Sequence, residues 1–436
     1  MENLLAARVQ MGFTLGFHML FAAFGVGFPL LMLIAEGIAL RGGPAHYRTL
    51  AKAWGRVNAV LFAVGAVSGT ALAFELGLLW PGFMRFAGTT IGAGFTTEAF
   101  AFFIESIFIG LYLYGWERLT PIGHWLTGVP IAIGGATSAV LVVSVDAWMQ
   151  HPTGVSTLLS HPGQAAPFAM LFLNPHWPIM ALHATIACYA ATGFTLATVY
   201  ALGMLRGRRD PMRMAGLKIA MWVATAGAVL MPITGDMSGK AVAAFQPTKL
   251  AAMESQFRTQ ARAPLRVGGL PDPKARRVSY AIEIPGGLSW LAYGSASAKV
   301  TGLDAVPARD WPNVPVTHIA FQLMVGAGTL MLLIALYYWR AVRARAPDLG
   351  PLALWALAAG GPLAFLALET GWVVTEVGRQ PWIVYGVQRT ADAVTPVSGL
   401  FGYLLGYALL YLLLGTTVLW LLRRVERDTS AFEEAA

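Results

Sequence analysis

Seven side chains sit where a lipid-facing sequence would not put them. His18 lies in TLGFHMLFAAFGVGFP, Glu98 and Glu105 in TTEAFAFFIES, His183 in IMALHATIACYAATGF, Met324 in HIAFQLMVGAGT, and Glu369 and Glu376 in and just after LAFLALETGWVV. An ionisable group in hydrocarbon costs several kcal/mol, so it faces a partner or a pathway and not lipid. Met324 alone would be packing; it gains meaning from what shares its depth. A His and a Met on two helices at one depth can be the axial ligands of a six-coordinate haem, a pairing that raises the iron's potential and suits electron transfer. A histidine deeper in the membrane can hold a second haem and leave its other axial position open. Glu98 and Glu105, seven positions apart, are about two turns apart and face one way, roughly 10 Å apart along the axis. Carboxylates stacked in this way resemble a proton relay, which Ser106 and His124 can extend.

The elements that must position these residues follow from composition. The chain has 436 residues, 56% hydrophobic and 12% charged, with mean hydropathy +0.60. Soluble proteins are about 25% charged, so the class is an all-α, polytopic membrane protein. The single Cys188 excludes an internal disulfide and a multi-Cys metal site. Nine segments approach the roughly 20 apolar residues a spanning helix needs: about 10–38, 57–79, 92–115, 125–147, 179–205, 217–235, 317–339, 351–375 and 397–422. The first is too long and glycine-rich for a cleavable signal peptide. Three further units are expected: helices one to six over 1–235, a polar loop over 236–316, and helices seven to nine over 317–422 with a tail at 423–436.

Lysine and arginine orient the bundle, so the net charge of +8 is read as topology and not as nucleic-acid binding. One side carries sixteen, including Arg48, Arg208, Arg345 and Arg427; the other, without its long loop, carries Arg8, Arg85, Arg379 and Arg389. The loop holds the remaining ten, and loops of that length escape the rule. The N-terminus and the loop are therefore expected outside and the C-terminus in the cytoplasm. His183 and Met324 then fall near the outer surface, His18 deeper, Glu105 closer to the cytoplasm than Glu98, and Glu376 at the outer end of the eighth span. In the loop, PTKLAAMESQF reads as a short helix. Its Lys249 and Glu254 are five apart, poorly placed for a mutual ion pair, and composition alone makes it a solvated surface helix. Asp236 reads as a cap or a site acid.

Several motifs in one order resemble subunit I of the cytochrome bd-type quinol oxidases: GRQPW (378–382) preceded by ETGWVVTEV, QPTKLAAMES, FFIESIFIGLYLYGWERL and DAWMQHP (146–152). The short loop resembles the short quinol-loop, cyanide-insensitive-oxidase-like subgroup. The resemblance spans the whole chain and implies the following. His183 and Met324 would be axial ligands of a low-spin haem b. His18 and Glu376 would each ligate one of two high-spin haems, a haem b and a haem d or third haem b, with Glu98 close by. Trp372 and Arg379 would line the haem cluster, Lys249 and Glu254 would serve quinol, and Glu105, Ser106 and His124 would carry protons. Partners implied are a subunit II, with room for a small third subunit, together with quinol, oxygen and the bacterial inner membrane. The chain departs from better-known members at Gln322, where Arg often stands two residues before the Met ligand, and in the Glu98–Glu105 spacing of seven where some have eight. A neutral amide at 322 is expected to alter propionate pairing.

The function expected is quinol oxidation at the outer face and reduction of oxygen to water with protons from the cytoplasm. Two alternatives stand beside it: a quinol-linked haem oxidoreductase with another acceptor, and a proton-coupled secondary transporter. The basic asymmetry makes one prediction of its own. Protease added outside cells is expected to cut only within the 236–316 loop; cleavage of the C-terminal end instead would invert the topology.

Overall fold

The computed structural model describes residues 2–343 and 349–434, with side-chain surroundings for 3–161, 163–343 and 349–425. Arg345, the side chain of Arg427 and the last two residues of the expected tail lie outside the described residues. Among the described residues nine helices are long and apolar enough to cross a membrane. They are α1 (Glu2–Leu40), α2 (His46–Leu79), α3 (Pro81–Tyr114), α4 (Pro121–Gln150), α5 (Trp177–Leu205), α6 (Pro211–Phe245), α7 (Val314–Arg343), α8 (Pro351–Arg379) and α9 (Leu400–Glu434). In hydrocarbon every backbone polar group must be satisfied within its own segment, which leaves helices as the solution for apolar runs of this length.

Each helix is longer than the apolar window that announces it, and prolines and two side-chain caps mark several of the starts. Prolines begin α3, α4, α6 and α8, where the missing N–H is no loss. The Asp210 carboxylate accepts from the Arg213 N–H at 2.8 Å, and the Thr120 hydroxyl accepts from that of Gly123 at 3.2 Å. α6 exceeds its window by the most residues in total, starting before 217 and running past its expected end at 235 to Phe245. Asp236 is thus neither a cap nor at a helix end; it lies inside α6 and pairs with Lys240 one turn on at 2.5 Å.

α1 to α4 pack around Phe28, Leu31, Leu50, Trp54, Tyr112 and Ile131. α5 to α8 pack around Phe194, Met221, Met331 and Leu357. The two groups join where α1 and α4 lie along α5, and α9 rests on α1 and α2 with most of its surface exposed. Lipid offers no hydrophobic drive between helices, so small residues govern how closely they approach. A Cβ on Gly193 of α5 would lie 2.7 Å from the Ala224 amide nitrogen and 2.9 Å from the Ala220 carbonyl oxygen of α6. Gly227 of α6 meets Ala190 of α5 in the same way, at 2.8 Å.

The segment between α6 and α7 is folded. Gln246 alone separates α6 from the short helix Pro247–Met253. β1 (Gln260–Ala261) pairs with β4 (Lys299–Val300), and β2 (Leu265–Asp272) forms an antiparallel hairpin with β3 (Arg277–Ile284), Leu265 opposite Ile284 and Asp272 opposite Arg277. Leu250, Ala263, Leu288, Ala292 and Val300 form one small core of this segment, and Ala251, Phe257, Leu303 and Val314 another. After α8, β5 (Trp382–Val384) pairs with β6 (Gln388–Arg389), and Arg389 reaches back to Asp310. Both connections therefore lie at one end of the bundle, the loop end.

The α5–α6 contact makes the second prediction. Gly193→Val has no space against the α6 backbone and is expected to lower the thermal midpoint of the detergent-solubilised protein, on the ~1–3 kcal/mol scale of overpacking. An unchanged midpoint would show that this crossing does not depend on glycine.

Candidate functional site

The two membrane histidines are built alike. His183 on α5 meets the Thr234 hydroxyl of α6 through Nδ1 at 3.0 Å, and His18 on α1 meets the Ser68 hydroxyl of α2 through Nδ1 at 3.1 Å. Each hydroxyl is itself tied one turn back, Thr234 to the Leu230 carbonyl and Ser68 to that of Val64. With Nδ1 taken, Nε2 is the atom left to coordinate a metal, and the hydroxyl fixes the ring's orientation. Glycines make the space. A Cβ on Gly69 would sit 3.0 Å from the His18 ring, one on Gly235 would sit 3.6 Å from that of His183, and one on Gly371 of α8 would sit 3.2 Å from the Met324 sulfur.

The last turns of α8 carry the densest charge. Glu369 turns toward α1, its Oε2 3.2 Å from where a Cβ of Gly16 would be, and its Oε1 is buried without a partner. Trp372 packs beside Ala23, Val26, Cys188 and Leu368, between α1 and α5. Arg379 is buried, bonds Asp146 of α4 at 2.9 Å and pairs with Glu376 one turn back; its Nε has no partner. The file continues away from α8. Gln150 donates to Asp146 at 3.2 Å and to the Thr375 carbonyl at 3.3 Å, and Lys249 donates to Gln150 at 2.5 Å. Lys249, Gln150, Asp146, Arg379 and Glu376 thus form one hydrogen-bonded series from the short loop helix to the end of α8.

The loop helix is not a solvated surface element. Lys249 and Glu254 are each 3% exposed, because α8, α7 and the hairpin close over them. Nor do they pair with each other: the Lys249 stem lies on Gly378, and Glu254 Oε2 is buried without a partner. Burial pushes the Lys249 pKa down to about 7, against the opposing pull of Asp146. It pushes that of Glu254 up to about 8, with the Arg266 guanidinium pulling the other way. His176, just before α5, is buried with Nδ1 unpartnered, and burial followed by Lys249 brings its pKa down to about 4.

Glu98 and Glu105 do share a face, turned toward α4. Glu98 accepts from the Ser138 hydroxyl at 2.5 Å, and Glu105 packs against Gly134 and Gly135 of α4, with Oε1 unpartnered. Ser106 does not join them. One residue on is about 100° around a helix, and its hydroxyl bonds back to the Phe103 carbonyl. His124 is held by another acid: Nδ1 lies 2.6 Å from Glu36 Oε1, Nε2 lies 2.8 Å from the Tyr112 carbonyl, and Tyr112 donates to Glu36 Oε2 at 2.8 Å. Sequence reasoning missed Glu36 of α1 and also Glu75 of α2, which accepts from Thr14 at 2.8 Å and Gln10 at 3.1 Å. Lone acids in LLMLIAEGIAL and ALAFELGLLW were the signal.

Among the described residues no three His, Cys, Asp or Glu side chains converge on one point, so a bare ion lacks a ligand set. A porphyrin iron asks for only one or two axial donors. His18, His183 and Met324 fit that demand, each with a neighbouring glycine that clears space, and Arg379 Nε offers an unpartnered donor for an acidic group. These residues can hold haem.

The fold defines a polytopic membrane protein whose ionisable groups face its own helices. A family model described as Cytochrome bd terminal oxidase subunit I matches residues 6–430, and the chain belongs to that family. A Bacillus subtilis (strain 168) protein with the provisional name cytochrome bd menaquinol oxidase subunit I is 35% identical over 97% of this chain and 96% of its own. A second from that organism, named cytochrome bd ubiquinol oxidase subunit 1, is 32% identical over 97% and 93%. The solved structure of the bd oxidase from Geobacillus thermodenitrificans has 37% identity and a TM-score of 0.91, covering 98% of each chain. The family is haem-dependent and its subunit I works with a subunit II. The chain is a multi-pass protein of the bacterial inner membrane.

Proposed function

We propose that this chain is the subunit of a membrane terminal oxidase that oxidises quinol at the loop end and carries the oxygen-reducing haem site within the bundle. The observation that carries this is the hydrogen-bonded series from Lys249 through Gln150, Asp146 and Arg379 to Glu376, which ties the loop helix to the last turns of α8. His183 and Met324 would hold a low-spin haem b, and His18 and Glu376 one high-spin haem each, one of them a haem b and the other a haem d or third haem b. Trp372 and Arg379 would border that cluster. When bound, these groups supply one-electron transfer and an iron for oxygen.

The chain's own residues do the rest. Quinol sits between Lys249 and Glu254, and Glu254 accepts a hydroxyl proton as the electrons leave. Two quinols give four electrons and four protons, which are released at the loop end. Reduction of one oxygen to two waters takes up four protons, and these come from the opposite end by way of Glu105, then Glu98 and Ser138. The basic asymmetry puts the loop end outside, so release on one side and uptake on the other separate charge without a pump. His124 with Glu36 and Tyr112 lies at the uptake end. A subunit II beside the bundle, with or without a small third subunit, completes the assembly.

Two experiments follow. Ala in place of His183 or Met324 is expected to remove the low-spin signal from the reduced-minus-oxidised spectrum and to leave most of the high-spin absorbance; an unchanged low-spin band in both variants would sink the ligand pair. Oxygen uptake with reduced quinol is the accompanying assay, and quinol oxidation without it would favour another acceptor.

The second concerns pH. A base must be ionised to accept a proton, and burial holds the Glu254 proton up to about pH 8, so at pH 7 only about one tenth is ionised. The kcat/KM for quinol is therefore expected to rise with pH through an inflection near 8. Glu254→Gln should abolish that limb with haem content intact. The same limb in the variant would assign it to another group.

A further inference from the structure

Gln322 stands where the resemblance leads one to expect arginine, and the structure gives both ends of its amide a task. Oε1 accepts from the Gly268 N–H at 2.9 Å, and Nε2 donates to the Arg266 carbonyl at 3.0 Å. Those two groups lie on the edge of β2 away from β3, since residues i and i+2 of a strand point their backbone groups the same way. The side-chain amide fills that edge as the peptide of a neighbouring strand would. Arginine has five donors and no acceptor, so it cannot receive the Gly268 N–H. One turn earlier on α7, fully buried His318 faces two further carbonyls. Nδ1 is 2.7 Å from that of Met253 and Nε2 3.1 Å from that of Gly268.

Both residues lead to Glu254. Arg266, whose backbone Gln322 holds, extends Nη1 to Gln256 Oε1 at 3.0 Å and to the carbonyls of Ser255 at 3.2 Å and Glu254 at 3.4 Å, while Nε is steadied by Glu283 at 2.9 Å. Ser255 has φ +49, a left-handed conformation uncommon for a residue with a side chain, so the turn after Glu254 needs holding from outside. His318 holds its other flank at Met253. The same turn of α7 then reaches Met324 two residues beyond Gln322.

We propose that Gln322 and His318 are positioning residues for quinol oxidation, locking the Glu254 turn through β2 to the turn of α7 that carries Met324. This rests on Lys249 and Glu254 forming the quinol site. The tests use the complete detergent-purified oxidase. In Gln322→Met, which keeps the bulk and loses both hydrogen bonds, amides of residues 265–272 are expected to exchange with deuterium about tenfold faster, the scale of a lost hydrogen bond. The KM for quinol should rise fivefold or more, as an order of magnitude from the same loss, with kcat changed less and the dithionite-reduced haem spectrum unaltered. Gln322→Glu, which can still accept from Gly268, should fall between the two. Unchanged exchange in Gln322→Met would overturn the lock, and faster exchange with a wild-type KM would overturn its role in the reaction. Wild-type quinol kinetics in Glu254→Gln would instead overturn the quinol-site reading, and this outcome is read independently of the exchange data.

Discussion

A charged or polar group has no water to turn to inside this bundle, and that constraint orders everything else. An ionisable side chain in a span gains from a partner on another helix, and where it has one, that partner fixes how two helices are rotated and how deep they sit. His18 to Ser68 sets α1 on α2, and Glu98 to Ser138 sets α3 on α4. His183 to Thr234 sets α5 on α6, and Arg379 to Asp146 sets α8 on α4. Apolar packing between these helices could be met in many registers. The polar pairs select one.

The same logic explains why the charged groups at the loop end come in a file and not as isolated points. A lone buried carboxyl is costly, but a run of neighbours shares the cost and keeps a path open. Lys249 to Glu376 is such a run at the loop end, whereas Glu98 bonds Ser138 and Glu105 Oε1 is left without a partner. Glycines are the counterpart of this file. They leave room beside His18, His183 and Met324 where a Cβ would crowd the side chain, so polar contacts fix the frame and absent side chains shape the space within it.

The nine spans and most of the polar candidates were legible in the sequence, because hydropathy and an out-of-place His or Glu are local signals. What was not legible depended on distant partners. Ser106 looked like a continuation of Glu105 because it is adjacent in the chain, yet adjacency on a helix is a turn of about 100° away from the shared face. Lys249 and Glu254 looked solvated because their own segment is polar, and only α7, α8 and the hairpin bury them. Gln322 read as a change in charge near a cofactor. Its amide in fact meets backbone groups 54 and 56 residues earlier. Glu36 and Glu75 were visible as residues, but their hydrogen-bonding partners lie on other helices.

The β2–β3 hairpin has two unlike sides. Its inner edge is fastened at residues 266 and 268, whereas residues 274–276 of its turn are exposed, with Arg276 laid over the Trp311 ring, and Tyr280 is 90% exposed. Growth and attachment are thereby separated. Chain can be added or removed at the turn while the inner edge keeps the same address on α7. A segment so arranged can vary its outward surface, and with it whatever it meets beyond the membrane, without resetting the distance between the loop helix and the bundle.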